Sequence, residues 1–251
     1  MRKTILNLLM PLAIVVTLGS CNNDDDNLKA GESRITLKGT AQQSQGGSAE
    51  ARVSVGAFTV THFQVGVQKL DMSYAAASDI RAGATLAGVT IRSNASAELG
   101  TAVSQPKTNV FIHEGNYQTT VLGEGATPNG NYTEVTFSLF QNNTAPADSF
   151  AKGKSLYIVG NVNGKTARIW MVAEEPVRVT STAPNGYEIN SATDLMLRFN
   201  LNSLFANMNL ATALDGNQDG VIDIGPNNVD GNGALHAKIR ANLNSAVEFG
   251  K

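Results

Sequence analysis

The residues best suited to chemistry lie close together near the C-terminal end: Asp215, Asn217, Asp219, Val221 and Asp223, with Gly220 among them. Counted from Asp215, side-chain oxygens fall at positions 1, 3, 5 and 9. Glycine falls at position 6, where a loop must turn sharply, and the β-branched Ile222 at position 8 can pin the loop to a core. A hard divalent cation seeks six to eight oxygens, and this spacing folds several of them around one point, with Val221 offering its backbone carbonyl. The chemistry is calcium coordination. Position 12, where a bidentate carboxylate would close the site, is Pro226. A closing ligand must come from farther on, with Asp230 the first candidate and Asn228 the second. A missing bidentate ligand places the expected affinity in the weak regime, roughly 10⁻⁴–10⁻³ M. The ion's expected role is structural: it pins the 209–228 segment and seats a terminal helix. The bland alternative is a solvated Asp/Asn/Gly turn that binds nothing.

The spacing resembles the first three-quarters of an EF-hand-type loop, and is similar to the calcium loops of dockerins and thrombospondin type 3 repeats. The departure is the proline at position 12.

A second chemical signal stands at the other end. Arg2 and Lys3 precede an apolar run over 5–18, and Leu18-Gly19-Ser20-Cys21 closes it. This is the tripartite pattern of a secretory signal. The run is too short for a good membrane span, which needs roughly 20 apolar residues, and Pro11 breaks it. The four closing residues resemble a lipobox, which implies cleavage after residue 20, a lipid on the Cys21 thiol and later acylation of its amine. Cys21 is the chain's one cysteine, so no disulfide can form within the molecule. Residues 1–20 are thus expected to be a signal peptide and 21–33 a lipidated tether. The expected place is the outer membrane, on the cell surface, with its periplasmic face as the alternative. The tether carries Asp24, Asp25 and Asp26. This run is either a solvated spacer or a match to the acidic surface-export signal of Bacteroidota lipoproteins.

Loss of the leader's two basic residues leaves 17 of 19 Lys plus Arg against 21 Asp plus Glu, a net of −4. That is no basic stripe, so nucleic acid is not an expected partner. Other chemistry is poorly supported. His62, His113 and His236 have no metal-ligand spacing. Glu114, Glu174 and Glu175 form no recognisable glycosidase pair, and no phosphate loop or nucleophile elbow is present. Trp170, Tyr157, Tyr74 and Tyr132 lie on alternating strands, where aromatics mostly pack inward. The chain is not expected to be an enzyme.

The elements that must position these groups read as strands. Leu195, Leu197, Phe199 and Leu201 are apolar with polar Arg198 and Asn200 between them, and Val135, Phe137 and Leu139 alternate with Thr136 and Ser138 in the same way. The apolar run 156–159 predicts a strand covered on both faces. Asn163-Gly164 between two strand-like runs predicts a hairpin, since both turn residues need positive φ. In 58–74 the apolar parity switches near His62 and again near Lys69. A regular strand cannot change face, so bulges or a bend between sheets are expected at both places. Residues 40–50 read as a loop, Pro128-Asn129-Gly130 and Pro184-Asn185-Gly186 as turns. Leu235, Ile239, Leu243 and Val247 recur every four residues and predict a helix over 233–247, with Asn232 as its N-cap. A short helical turn is expected over 203–208. The reading is an all-β chain: an antiparallel β-sandwich over 34–251 with a short C-terminal helix and a calcium-type loop at 215–230.

The residues 159–164, the 195–201 strand, the acidic loop and Asp230-Gly231-Asn232 together resemble a group of Bacteroidota lipoproteins known only as a domain of unknown function. The likeness covers the last hundred residues or so. It implies a β-sandwich on a lipid anchor and carries no catalytic residues. Two roles follow for the domain: a surface binding or adhesion module for a glycan or protein ligand, or a structural or accessory envelope lipoprotein that joins an assembly by sheet-edge pairing.

Overall fold

The computed structural model describes residues 28, 30–43, 53–76, 95–98 and 106–251. The expected signal peptide, Cys21 and the tether as far as residue 27 lie outside the described residues. Among these the chain is an all-β sandwich. Its strands are β1 (Glu32–Gln42), β2 (Ser54–Val55), β3 (Phe58–Ala76), β4 (Ala95–Glu98), β5 (Lys107–His113), β6 (Asn116–Tyr117), β7 (Thr119–Pro128), β8 (Gly130–Leu139), β9 (Leu156–Val162), β10 (Lys165–Met171), β11 (Pro176–Thr180), β12 (Tyr187–Ile189), β13 (Thr193–Asn200), β14 (Val221–Ile224) and β15 (Val247–Gly250). Two α-helices join them, α1 (Leu201–Leu204) and α2 (Gly233–Asn242). The smaller sheet runs β15-β13-β1-β7; the larger runs β11-β8-β3-β9-β10-β14, with β2, β4 and β5 also on β3.

Strand β1 begins inside the span read as tether, and every second residue from Ser33 to Ala41 is buried, the period-two signature of a sheet with one covered face. Across the sandwich, Phe199 of β13 stacks on Phe111 at 4.9 Å and meets Phe63 edge-on at 5.7 Å. All three rings are essentially inaccessible. The Asn163-Gly164 hairpin joins β9 to β10 with φ of 51° and 82°. Both parity switches in β3 are bulges: pairing with β9 shifts between Val60 and His62, and pairing with β8 shifts between Gln68 and Asp71, around Lys69 at φ 50°. β9 is covered less evenly than the 156–159 run implies. Leu156 and Ile158 are buried, Tyr157 and Val159 half-buried.

Two features differ from the sequence reading. The sheets are mixed, because β1 pairs parallel with β13 and β10 parallel with β14. Parallel neighbours need long crossovers, and the chain between each pair supplies one. The terminal helix ends at Asn242 rather than 247. Val247 and Phe249 pair with Phe199 and Leu197 instead, so period two takes over where Glu248 separates two buried apolar residues. The short helical turn lies at 201–204, started by Asn200, whose side-chain oxygen accepts from Ser203 N at 3.2 Å.

Pro128-Asn129-Gly130 is a corner between sheets, since β7 belongs to the smaller and β8 to the larger. The Tyr132 hydroxyl locks it by donating to Pro128 O at 2.8 Å and bonding the Thr127 hydroxyl. Burial pushes that phenol up to about 12.

Candidate metal centre

Loop 215–220 runs into β14, the outermost strand of the larger sheet, and its side chains fold it. Asn217 Oδ1 accepts from Asp219 N at 3.0 Å, Asp219 Oδ1 from Val221 N at 2.8 Å, and Asp215 Oδ2 from Gly220 N at 3.2 Å. Short polar side chains that bond backbone N–H groups a few residues on are what Asp and Asn do best in turns. Gly220 takes φ 88°, as the sixth position requires.

Asp230 closes the loop from outside. Its Oδ1 accepts from Asn217 N at 3.2 Å and its Oδ2 from Asp223 N at 2.9 Å, so one carboxylate bridges the third and ninth positions. The 3₁₀ stretch Pro226–Gly231 carries it there through positive φ at Asn227, Asn228 and Asp230. Asn and Asp enter that region more readily than other side chains. Gly216 has to be small here, since a Cβ would lie 2.7 Å from the Asp230 carbonyl oxygen.

Three candidates have other tasks. Asp223 turns both oxygens to Arg168, each at 2.7 Å, because the parallel register sets the two residues side by side on the outer face. Its side chain is bound to the sheet rather than to the loop. Asn228 Oδ1 accepts from Gly233 N at 2.8 Å and caps α2. Asn232, the expected N-cap, makes no side-chain cap bond. It is buried and bridges instead, accepting from Leu214 N at 2.9 Å and donating to the carbonyls of Leu214 and Asp223.

Asp215 is the notable side chain. It is 7% exposed, and its Oδ2 receives Lys165 Nζ at 2.9 Å as well as Gly220 N. The Lys165 hydrogen bond holds this carboxyl below its ordinary range. Oδ1 is enclosed and has no hydrogen-bond partner. A buried carboxylate oxygen without a donor is costly, and a cation is the kind of partner that would relieve it. The side chains of Asp215, Asp219 and Asp230 offer carboxylate oxygens, which suit calcium rather than a soft metal. Among the described residues, no three His, Cys, Asp or Glu side chains are gathered as a ready ligand cluster. The carboxylates of Asp215, Asp219 and Asp230 each accept from separate backbone N–H groups instead.

Sequence reasoning missed a row of rings on the outer face of the larger sheet. His113, His62, Tyr157, Phe150 and Trp170 follow one another at centroid spacings of 6.3, 6.0, 5.7 and 5.0 Å. Arg168 stacks on Phe150 at 4.0 Å, and Lys154 lies over Phe150 and Trp170. Trp170 is covered, whereas His62, Phe150 and Tyr157 are half-buried and His113 is exposed. The parity of β9 and β10 puts Tyr157 and Trp170 on one face; Phe150 comes from a loop and carries no periodic signal. Glu175 pairs with Arg240 of α2. No helix among the described residues is long and apolar enough to cross a membrane. No family model, curated protein or solved structure matches the chain.

Proposed function

We propose that this chain is a lipid-anchored, surface-displayed β-sandwich that acts as a non-catalytic binding or adhesion module, stiffened by calcium at loop 215–230. The observation that carries the binding role is the ring row on the outer sheet face, where half-buried Tyr157, Phe150 and His62 lie beside exposed His113 and the Arg168 and Lys154 cations. Rings of this kind stack on sugars and on peptide side chains. Edge pairing into an assembly is less well supported at β14, because Asp230 and Asn232 bond the Asp223 N–H and C=O. The lipobox at Cys21 supports the anchor, and the orphaned Asp215 oxygen supports calcium.

Three measurements test this. Protease added to intact cells should digest the protein; protection until the outer membrane is breached would remove the adhesion role. On glycan and matrix-protein arrays the protein should bind a defined class, and Tyr157→Ala should weaken that binding about tenfold, in line with ~1–3 kcal/mol for a lost aromatic stack. Equal binding by wild type and variant would show that the ring row is not the site. Calorimetric titration without calcium heat, with a melting temperature unmoved by chelator, would remove the calcium.

A further inference from the structure

Resting on the calcium reading above, we infer that Lys165 is a built-in counter-cation that sets how tightly loop 215–230 holds its ion. Asp215 presents its two oxygens to different partners. Oδ2 carries Lys165 Nζ at 2.9 Å and Gly220 N at 3.2 Å. Oδ1 is enclosed and unpartnered, and is the oxygen left for a metal. An ion there and the ammonium share one carboxylate, a positive charge on each side of it.

The two cations differ in freedom. The Asp215 side chain is 7% exposed and fixed by the loop, whereas that of Lys165 is 51% exposed. Lys165 opens β10 directly after the Asn163-Gly164 turn, so its stem can swing its ammonium into water. Arg168 is a second cation near the loop, but Asp223 neutralises it through both oxygens. The repulsion felt by a divalent ion at Oδ1 therefore comes mainly from Lys165. With about 6 Å between the charges in a water-like dielectric, that repulsion weakens binding roughly tenfold, and physiological salt reduces the effect to about threefold. Lys165 also holds Asp215 in place while no ion is bound, so the loop keeps its shape at low calcium. Lys165 is a positioning residue, not a ligand.

The test is titration of calcium chloride into the full chain and into Lys165→Met, Lys165→Gln, Lys165→Arg and Asp215→Asn, with folding checked by circular dichroism. Lys165→Met and Lys165→Gln should bind about three- to tenfold more tightly at low salt, and the gain should shrink in 1 M NaCl. Lys165→Arg keeps the charge and should stay within about twofold of wild type. Asp215→Asn should lose binding by tenfold or more. Binding by wild type with no gain, or a loss, in both neutral variants overturns the role of Lys165 and leaves the calcium reading standing. Binding by the neutral variants alone supports the inference in its strongest form. Silence from wild type and every variant overturns the calcium reading and the inference together.

Discussion

His236 shows how one side chain can make the whole fold sensitive to acid. It sits on α2 with Nε2 enclosed and unpartnered. Burial, and after it the charge of Arg240, lower its pKa below 6.5, against smaller opposing effects from the Trp170 backbone and Glu175. The folded chain therefore favours the neutral ring. Above pH 6.5 the imidazole is neutral in folded and unfolded chains alike, and the stability is complete. As pH falls from there, the unfolded chain takes up the proton first, and stability is lost down through the lower folded value. The urea midpoint of wild type should fall between pH 7.5 and pH 5 by more than that of His236→Gln. Equal declines would locate the acid sensitivity in other groups. Nothing in the spacing of the three histidines announces this, because it depends on what α2 packs against. The calcium-type loop is the opposite case. Its side-chain hydrogen bonds are local, so Asp215, Asn217, Asp219 and Gly220 were legible from spacing alone. The contact of Asp230 with Asn217 depends on the 226–231 turn; the diversion of Asp223 to Arg168 depends on strand register.

Among the elements, β3 is the strand on which the larger sheet is built. β9 and β5 flank its first half, β8 and β4 its second. At Gly66 the chain that returns from β8 comes closest: Phe140 N donates to Gly66 O at 3.0 Å, and Gly66 N donates to Ser155 O at 2.8 Å. A Cβ on residue 66 would lie 1.9 Å from the Phe140 carbonyl oxygen. Gly66→Ala should therefore destabilise by about 3 kcal/mol or more, since the Phe140 backbone must move to make room. A melting temperature within a few degrees of wild type would disprove that close approach. Of the register shifts along β3, those near His62 and Lys69 were legible because a change of face leaves a mark in apolar parity; the one between Ser73 and Tyr74 was not. Parallel pairing of β1 with β13 left none. A buried face alternates the same way whichever direction its neighbour runs. The end of α2 was misplaced for a related reason, since Val247 satisfies the four-residue period of Leu235, Ile239 and Leu243 and also begins a two-residue one with Phe249.

For the whole molecule, the strand registers assign opposite ends to the sandwich. β1 starts at Glu32 opposite Pro128, beside the Pro128–Gly130 corner, and Asn129 N donates to Gly31 O at 2.7 Å. That corner also meets the end of β3, where Gly130 pairs with Ala76. The start of β3 lies at the other end, with Phe58 opposite Val162. There the Asn163-Gly164 hairpin turns, Lys165 reaches Asp215, and Asn163 Nδ2 donates to Ala211 O. The chain before Glu32 thus leaves from one pole, and the acidic loop crowns the other. With the N-terminus as the proposed point of attachment, this would set a proximal base and a distal tip, with loop 215–220 at the distal end. A short epitope inserted between Asn163 and Gly164 should be reached by antibody on intact cells more readily than the same epitope placed at Asn129. Equal access would mean that the sandwich lies on its side against the membrane. With the proposed ion bound at that end, the stability it adds would follow its concentration in the surrounding medium rather than inside the cell.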